Sequence, residues 1–216
     1  MTRLFLIRHG ESVAQVEGFV SGHDTCRGLS DLGRQQVQAL HDRLARTGEI
    51  AADVLLTSIL PRAIETARII APAIGGHEPV QDCGLCEIHP GDGEGLTWTE
   101  WQEKYFQEDY DPSMPSSPNG ESWLGFSERV ATSLKRYVEE HADKTIVAAV
   151  HGGVIEASIA AFTDLPPTHG QLAPLINASI TEWVRHEPPF GRRGARWQLV
   201  RYNDAAHTAG LPQSSK

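Results

Sequence analysis

Cysteine is scarce: the chain of 216 residues holds three, too few and odd in number for a disulfide framework. Long hydrophobic runs are missing as well. The stretch near the start, Leu4-Phe5-Leu6-Ile7, falls far short of the core of a signal peptide or a membrane span. Basic residues are in the minority, 19 against 28 acidic ones, and the net charge of −9 argues against a nucleic-acid footprint, which needs a basic face. Gly-x-Ser-x-Gly, His-Glu-x-x-His and the P-loop lysine are absent, so serine-hydrolase, zincin and P-loop readings have no support. No internal repeat is visible. These absences point to a cytoplasmic protein with reduced thiols that engages neither nucleic acid nor a membrane; a homodimer stays open.

What is present is the make-up of an ordinary globule. Apolar residues account for 40 % and there are 20 glycines, enough for one core in a chain of this length. Leu4-Phe5-Leu6-Ile7 reads as a buried parallel strand stopped by Arg-His-Gly. Ser30 is a good N-cap, Val37, Leu40 and Leu44 share a helical face, and Gly48 ends that helix. Residues 53–57 read as a second strand. Pro61 suits the first position of a helix whose Ile64, Ala67 and Ala71 recur on one face. Residues 84–120 are less regular, with a short helix over 97–105 opening an excursion that spans 97–121. Phe126, Val130, Leu134 and Val138 mark a long helix over 122–140, residues 145–150 form a third buried strand, and Ile155, Ile159 and Phe162 mark another helix. Residues 180–185 and 197–202 read as a terminal hairpin, and a disordered tail is expected over 205–216. The alternation predicts an α/β three-layer sandwich: a mainly parallel central sheet with helices on both faces, in one domain spanning 1–204.

Sheets of this kind bind ligands at the carboxyl ends of their strands. The strand ends here deliver polar side chains: Arg8 and His9 after the first, Ser58 and Arg62 after the second, His151 after the third. Two arginines and two histidines at one sheet edge suit a phosphoryl group. Guanidinium forks grip phosphate oxygens bidentately and stay charged. Arg62 also falls in the first turn of its helix, where free N–H groups favour an anion. A neutral imidazole can attack phosphorus and hold the phosphoryl group covalently, and neighbouring arginines keep it neutral by depressing its pKa. The second histidine can stabilise charge on the equatorial oxygens. A carboxylic acid must then protonate the leaving oxygen and later activate water, and in the residues themselves Glu87 and Glu94 compete for that role.

The heptapeptide Leu6-Ile7-Arg8-His9-Gly10-Glu11-Ser12 resembles the signature of the histidine phosphatase superfamily, the phosphoglycerate mutase-like clan. Gly28-Leu29-Ser30-Asp31-Leu32-Gly33-Arg34-Gln35-Gln36 resembles the start of that family's first helix, and Ser58-Ile59-Leu60-Pro61-Arg62-Ala63-Ile64-Glu65-Thr66-Ala67 its second phosphate-binding motif. Leu85-Cys86-Glu87 with Gly91-Asp92-Gly93-Glu94-Gly95-Leu96 is similar to its acid-bearing loop. Asn119-Gly120-Glu121-Ser122 and Val150-His151-Gly152-Gly153 complete the order. The resemblance implies a phosphoglycerate mutase-like fold, with His9 as the phosphorylated nucleophile and Glu87 as the acid/base. It implies Arg8, Arg62 and a catalytic His151 around the phosphate, with Gln15 and Gly152 as further phosphate contacts, and it requires neither a metal nor an organic cofactor. Gly-Asp-Gly-Glu-Gly after Glu87 is similar to the phosphatase branch; the mutase branch usually carries Asn-Glu-Arg-His-Tyr-Gly there. Gln15 stands where the family commonly has Asn, and Gly93 where an aromatic is common, which leaves that wall of the pocket more open. One extra residue sits between Gly22 and Leu29.

Other features have plainer readings beside the functional ones. Cys83-x-x-Cys86 with His89 offers three potential zinc ligands but no second pair, so no metal site is expected. Trp98, Trp101, Tyr105, Phe106 and Trp123 either line a substrate wall or pack the excursion onto the body. The arginine-rich stretch 185–201 reads as a solvated hairpin, and Glu11 as a residue holding the turn or an arginine. The expected activity is that of a metal-independent phosphatase, hydrolysing a small phosphorylated substrate through phosphohistidine. Two other functions are weighed against it. One is a cofactor-dependent phosphoglycerate mutase, whose histidine must be primed by a bisphosphate. The other is a non-catalytic phospho-ligand or protein-binding module, which has no use for an acid/base.

Overall fold

The computed structural model describes residues 1–163, 165–167, 174–186 and 196–212. In chain order its elements are β1 (Arg3–Arg8), α1 (Val13–Glu17), α2 (Asp31–Thr47), β2 (Val54–Thr57), α3 (Pro61–Ile70), β3 (Val80–Gln81), α4 (Trp98–Tyr105), α5 (Trp123–Glu140), β4 (Thr145–Val150), α6 (Gly152–Phe162), β5 (Ile180–His186) and β6 (Arg196–Asp204). β1 is apolar on both faces, and a strand of that kind must be covered on both. It lies inside a six-stranded sheet of order β3-β2-β4-β1-β5-β6. β1, β2, β3 and β4 run parallel, while β5 and β6 are antiparallel additions at one side.

Strand alternation divides the core in two. Leu4, Leu6, Ile146, Ala148 and Val150 pack with Phe126, Val130 and Leu134 of α5 and Val154 and Ile155 of α6. Phe5, Ile7, Val147, Ala149 and Ile180 pack on the other face with Val37, Leu40 and Leu44 of α2 and Ala67 and Ile70 of α3. The result is the expected three-layer α/β sandwich around a mainly parallel sheet.

The helices begin and end where their local chemistry dictates. The Ser30 hydroxyl accepts the Gly33 N–H at 2.9 Å, and Gly48 closes α2 in the left-handed conformation at φ 60°. Pro61 opens α3, the Ser122 hydroxyl caps α5, and Thr97 with Glu100 forms a capping box on α4. Gly33 lets α2 start flush against the loop that follows β1: a Cβ there would stand 2.0 Å from the Glu11 carbonyl oxygen. α1 and β3 are too short to carry a periodic signal in the sequence.

The expected disordered tail does not begin at 205. Ala206–Thr208 forms a 3-10 turn packed on α2, with Thr208 buried. The turn is anchored by Asp204, whose carboxylate takes a bidentate grip from Arg43 at 2.8 and 3.0 Å. That pairing, 161 residues apart in sequence, is invisible to local composition. β5 and β6 form the expected antiparallel hairpin. Residues 187–195, between these two strands, lie outside the described residues, as do residues 213–216.

Because β1, β2 and β4 are parallel, their carboxyl ends share one edge. That geometry delivers Arg8 and His9, Ser58 and the start of α3, and His151 with the start of α6, to the same place.

Candidate active site

His9 leaves β1 with its N–H donated to the Val150 carbonyl at 2.9 Å, so its backbone is still held by the sheet. The ring is only 5 % exposed. Its Nδ1 lies 2.6 Å from the Gly10 carbonyl oxygen, which can only accept, so Nδ1 carries the proton. Nε2 therefore keeps a lone pair, and that lone pair accepts from Arg62 Nε at 3.3 Å. Burial lowers the His9 pKa well below the usual histidine value, and the charges of Arg62 and then Arg8 lower it further. The outcome is a neutral imidazole with its free nitrogen turned to a guanidinium.

Arg62 is the second residue of α3 and is buried, and its guanidinium also reaches Ser21 Oγ at 3.5 Å and Cys26 Sγ at 3.3 Å. Arg8 donates to the Leu175 carbonyl through one terminal nitrogen. Its Nε is buried without a protein partner among the described residues. Both ring nitrogens of His151 are in the same condition, and the ring is wholly buried, edge-on to His9 with centres 5.1 Å apart. Burial, then the charges of Arg62, His9 and Arg8, drives the His151 pKa well below its usual value. A phosphate dianion between these groups reverses the balance of charge, gives the orphaned donors a partner and favours a proton on His151.

Glu87 is seated by backbone. One carboxylate oxygen accepts the Gly153 N–H at 3.1 Å and the other accepts the Ile88 N–H at 3.1 Å. A Cβ on Gly153 would come within 2.2 Å of Glu87 Oε1, so only glycine lets α6 pass this close to the carboxylate. The loop bearing Glu87 is held by Arg129, which donates to the carbonyls of Cys83, Gly84, Cys86 and Glu87 and pairs with Glu121 at 2.7 Å. Glu94, the rival carboxylate, has a different occupation. Its Oε1 accepts N–H groups from Gly22, Asp24 and Thr25 and the Thr25 hydroxyl. Burial pushes its pKa up, but those donors outweigh it and hold it below the usual value, as befits a permanently ionised structural anion. Glu11 also holds a turn: it is buried and accepts the Ser30 hydroxyl at 2.7 Å.

A cavity of about 720 Å³ opens on these groups. Arg8, His9, Arg62, Glu87 and Gly152 line it, as does Gln15, whose amide pairs with Asn177 and whose carbonyl oxygen accepts the Ser12 N–H. A Cβ at Gly152 would meet Arg8 Nε and Leu175 Cδ1 at an unstrained 3.7 Å, so packing among the described residues does not by itself demand glycine there. Trp98, Trp101 and Trp123 also line the cavity, joined by Tyr110 and Met114, while Phe106 is 66 % exposed. The wall at Gly93 is not open. Its missing side chain is replaced by the Trp101 indole, which a Cβ there would meet at 2.8 Å, so the aromatic group arrives from α4 instead.

Two functional candidates were not visible as motifs. Glu156 lines the same cavity and is half-buried; burial first, then the charge of Glu87, raises its pKa to about 7 against the pull of Arg8. It is the lone charged residue in α6, Gly-Gly-Val-Ile-Glu-Ala-Ser-Ile-Ala-Ala-Phe, and that isolation was the available signal. Arg129 had none, since an arginine on the polar flank of a long helix looks like any solvated one.

An edge of this kind handles phosphoryl groups, which places the molecule among α/β phosphoryl-transfer proteins. The sequence profile of the histidine phosphatase superfamily (branch 1) matches residues 4–205, and the chain belongs to that superfamily. It is 31 % identical over 212 residues to phosphoglycerate mutase-like protein 4 of Arabidopsis thaliana, covering 94 % of this chain and 86 % of the relative. It is 27 % identical to the metal-independent phosphoserine phosphatase of the same plant, covering 98 % and 85 %. A solved structure of a mutant phosphoserine phosphatase from Entamoeba histolytica, in complex with phosphoserine, matches with a TM-score of 0.75 at 29 % identity, covering 96 % of this chain and 99 % of that one. Among the described residues no helix is long and apolar enough to cross a membrane.

Proposed function

We propose that residues 1–204 form one catalytic domain that hydrolyses small phosphomonoesters through a phosphohistidine at His9. The observation that carries this reading is the state of His9: neutral, with the Nε2 lone pair free of a proton and beside Arg62. Arg8, Arg62 and His151 hold the phosphoryl oxygens and neutralise the charge that builds on them. His9 Nε2 forms the bond to phosphorus as the ester P–O bond breaks, and Glu87 gives its proton to the leaving oxygen. Glu87, now a carboxylate, takes a proton from water. The water oxygen attacks phosphorus, the N–P bond breaks, and inorganic phosphate leaves with the His9 lone pair restored.

Every charge in this scheme is met by a protein group, so phosphoryl transfer proceeds without a metal ion. The name of the plant phosphoserine phosphatase is in keeping with that. The remainder of the substrate meets aromatic side chains and two carboxyls, Glu87 and Glu156. Arg8 and Arg62 are the cationic side chains on the cavity among the described residues, and both are committed to the phosphoryl group. This favours a monoester whose alcohol part is apolar, aromatic or cationic. It weighs against a bisphosphate-primed mutase, which needs cations for a second phosphate.

The test is His9→Ala. Turnover of a chromogenic phosphomonoester should fall by several orders of magnitude with an unchanged circular dichroism spectrum, and acid-labile, base-stable phosphate should be trapped on the wild-type chain alone. Activity of the variant within about tenfold of wild type sinks the covalent mechanism.

A further inference from the structure

Apart from the cavity lies a second cluster of reactive groups. His23, Cys83, Cys86 and His89 each bring a sulfur or a ring nitrogen to within 4.8 Å of one another. Cys83 Sγ is 3.4 Å from His23 Nε2 and 3.5 Å from His89 Nε2, and the two imidazoles are centred 4.8 Å apart. In a tetrahedral site with Zn–S of about 2.3 Å and Zn–N of about 2.0–2.1 Å, the sulfur–nitrogen edge measures about 3.6 Å. The two sulfur–nitrogen edges from Cys83 match that length, and the remaining edges, all within 4.8 Å, need an inward shift of about an ångström or less to close on an ion. None of the four lines the cavity.

The surroundings fit ligands rather than spectators. His89 turns Nε2 to the cluster and keeps Nδ1 on the side of the Glu121 carboxylate, 3.6 Å from Oε2, a separation that must shorten for the carboxylate to orient the ring of a metal-binding histidine. Ser58 Oγ donates to Cys86 Sγ at 3.3 Å. The Arg129 guanidinium grips the carbonyls of Cys83, Gly84 and Cys86 at 2.9, 3.2 and 3.3 Å, which fixes the turn carrying both sulfurs and sets a positive charge beside them. In sequence the group looks incomplete, because its fourth member, His23, lies 60 residues before Cys83.

We propose that His23, Cys83, Cys86 and His89 form a closed tetrahedral site for a structural zinc ion. Two sulfurs and two imidazoles suit zinc and are poor ligands for magnesium or calcium. Two S–H protons pass to solvent as the Zn–S bonds form, the imidazoles bind as neutral rings, and zinc stays divalent. All four positions are taken by protein, so the ion has no opening for substrate and no part in phosphoryl transfer. Its effect is mechanical. His23 belongs to the loop whose Ser21 and Cys26 touch Arg62, and Cys86 directly precedes Glu87. The ion ties the loop beside the phosphate-binding arginine to the loop that carries the acid, across the gap that Glu94 already spans through Gly22, Asp24 and Thr25.

The experiment measures metal directly, so it stands or falls apart from the phosphatase reading. Full-length protein purified under reducing conditions is analysed for zinc, stripped with a strong chelator and titrated with Co²⁺. Equimolar zinc is expected, followed by the intense visible bands of tetrahedral cobalt with thiolate-to-metal charge transfer. His23→Ala changes an exposed residue and should keep the native circular dichroism spectrum while weakening Co²⁺ binding at least about tenfold. Cys83→Ser, with Cys86 the one thiolate left, should lose about half of the charge-transfer intensity. Zinc removal should lower the Tm of wild type but not of Cys83→Ser, with kcat on a nitrophenyl ester changed no more than a few-fold. The proposal is overturned by a weak octahedral cobalt spectrum, by binding indifferent to both substitutions, or by a Cys83–Cys86 disulfide in place of zinc. It is equally overturned if stripped, folded protein fails to take up one equivalent of zinc.

Discussion

Alanine at Gly153 tests the acid without altering its carboxyl. The new Cβ would stand 2.2 Å from Glu87 Oε1 and 3.1 Å from ring carbons of Phe126, which is fully buried and has little room to retreat. The Glu87 carboxylate must therefore move by on the order of an ångström, and it weakens its bond to the Gly153 N–H as it does so. A positioned general acid is worth roughly 10²–10⁴ in rate, and a misplacement of about 1 Å forfeits about 10²-fold. An alkyl phosphomonoester, whose leaving oxygen needs the proton, should lose about 10²-fold in kcat/KM. A nitrophenyl ester departs with little help and should lose less than about tenfold, judged on kcat/KM so that dephosphorylation does not mask the difference. Folding should hardly change: alanine in a helix gains about 0.5–1 kcal/mol over glycine, and the contact with Phe126 offsets it. Paired steady-state assays on both esters, with a thermal melt as control, decide the matter. An equal loss for both esters, or no loss in a folded protein, refutes the assignment of Glu87 as the acid for departure.

Glu87→Gln should reproduce that leaving-group dependence more steeply, whereas Glu94→Gln should lower Tm and leave the ratio between esters unchanged; the reverse pattern means that the wrong carboxylate has been chosen. Glu156 is raised from 4.5 to about 7, so the folded state keeps its proton longer than the unfolded chain does. Its cost to stability is absent below the unfolded value and grows as pH rises through 7. Against Glu156→Gln, wild type should be equal near about pH 4 and less stable by about 1–2 kcal/mol near about pH 8, the full shift being discounted for partial exposure; urea melts at both pH values check it. Dialysis against EDTA should leave the rate on a nitrophenyl ester unchanged, and a complete loss restored by Mg²⁺ contradicts metal-free phosphoryl transfer.

The sequence carries this fold wherever a local signal is strong. Ser30 and Gly48 bracket α2, Pro61 opens α3, and the apolar runs of β1 and β4 need burial on both faces whatever surrounds them. Arg8, His9, Arg62 and His151 are legible for the same reason: each follows a strand or opens a helix, so chain order alone brings them to one edge. What escapes is held together across the chain. Arg129 acts through carbonyls more than 40 positions away, Asp204 meets Arg43 across 161, and His23 meets Cys83 across 60. Trp101 takes the place of a missing aromatic at Gly93 only because α4 folds back over the loop. None of these leaves a trace in periodicity or capping, since nothing local depends on the partner.

The pairing of β1 with β4, Arg3 beside Thr145 and Arg8 beside Val150, makes the first strand wait for the last of the parallel ones. Closing so long a loop carries an entropic cost that local contacts cannot offset in advance, and pairing of that kind is slow. During synthesis at about 5–20 residues per second, β1 stands without its central partner for on the order of ten seconds, apolar on both faces. His9 and His151 directly follow these same two strands, so no partly folded form owns the pocket proposed for the phosphoryl group. An oxyanion cannot guide the early chain. It meets a finished site, and any opening that parts β1 from β4 must first expel it, so phosphate should retard unfolding while leaving the rate of refolding unchanged.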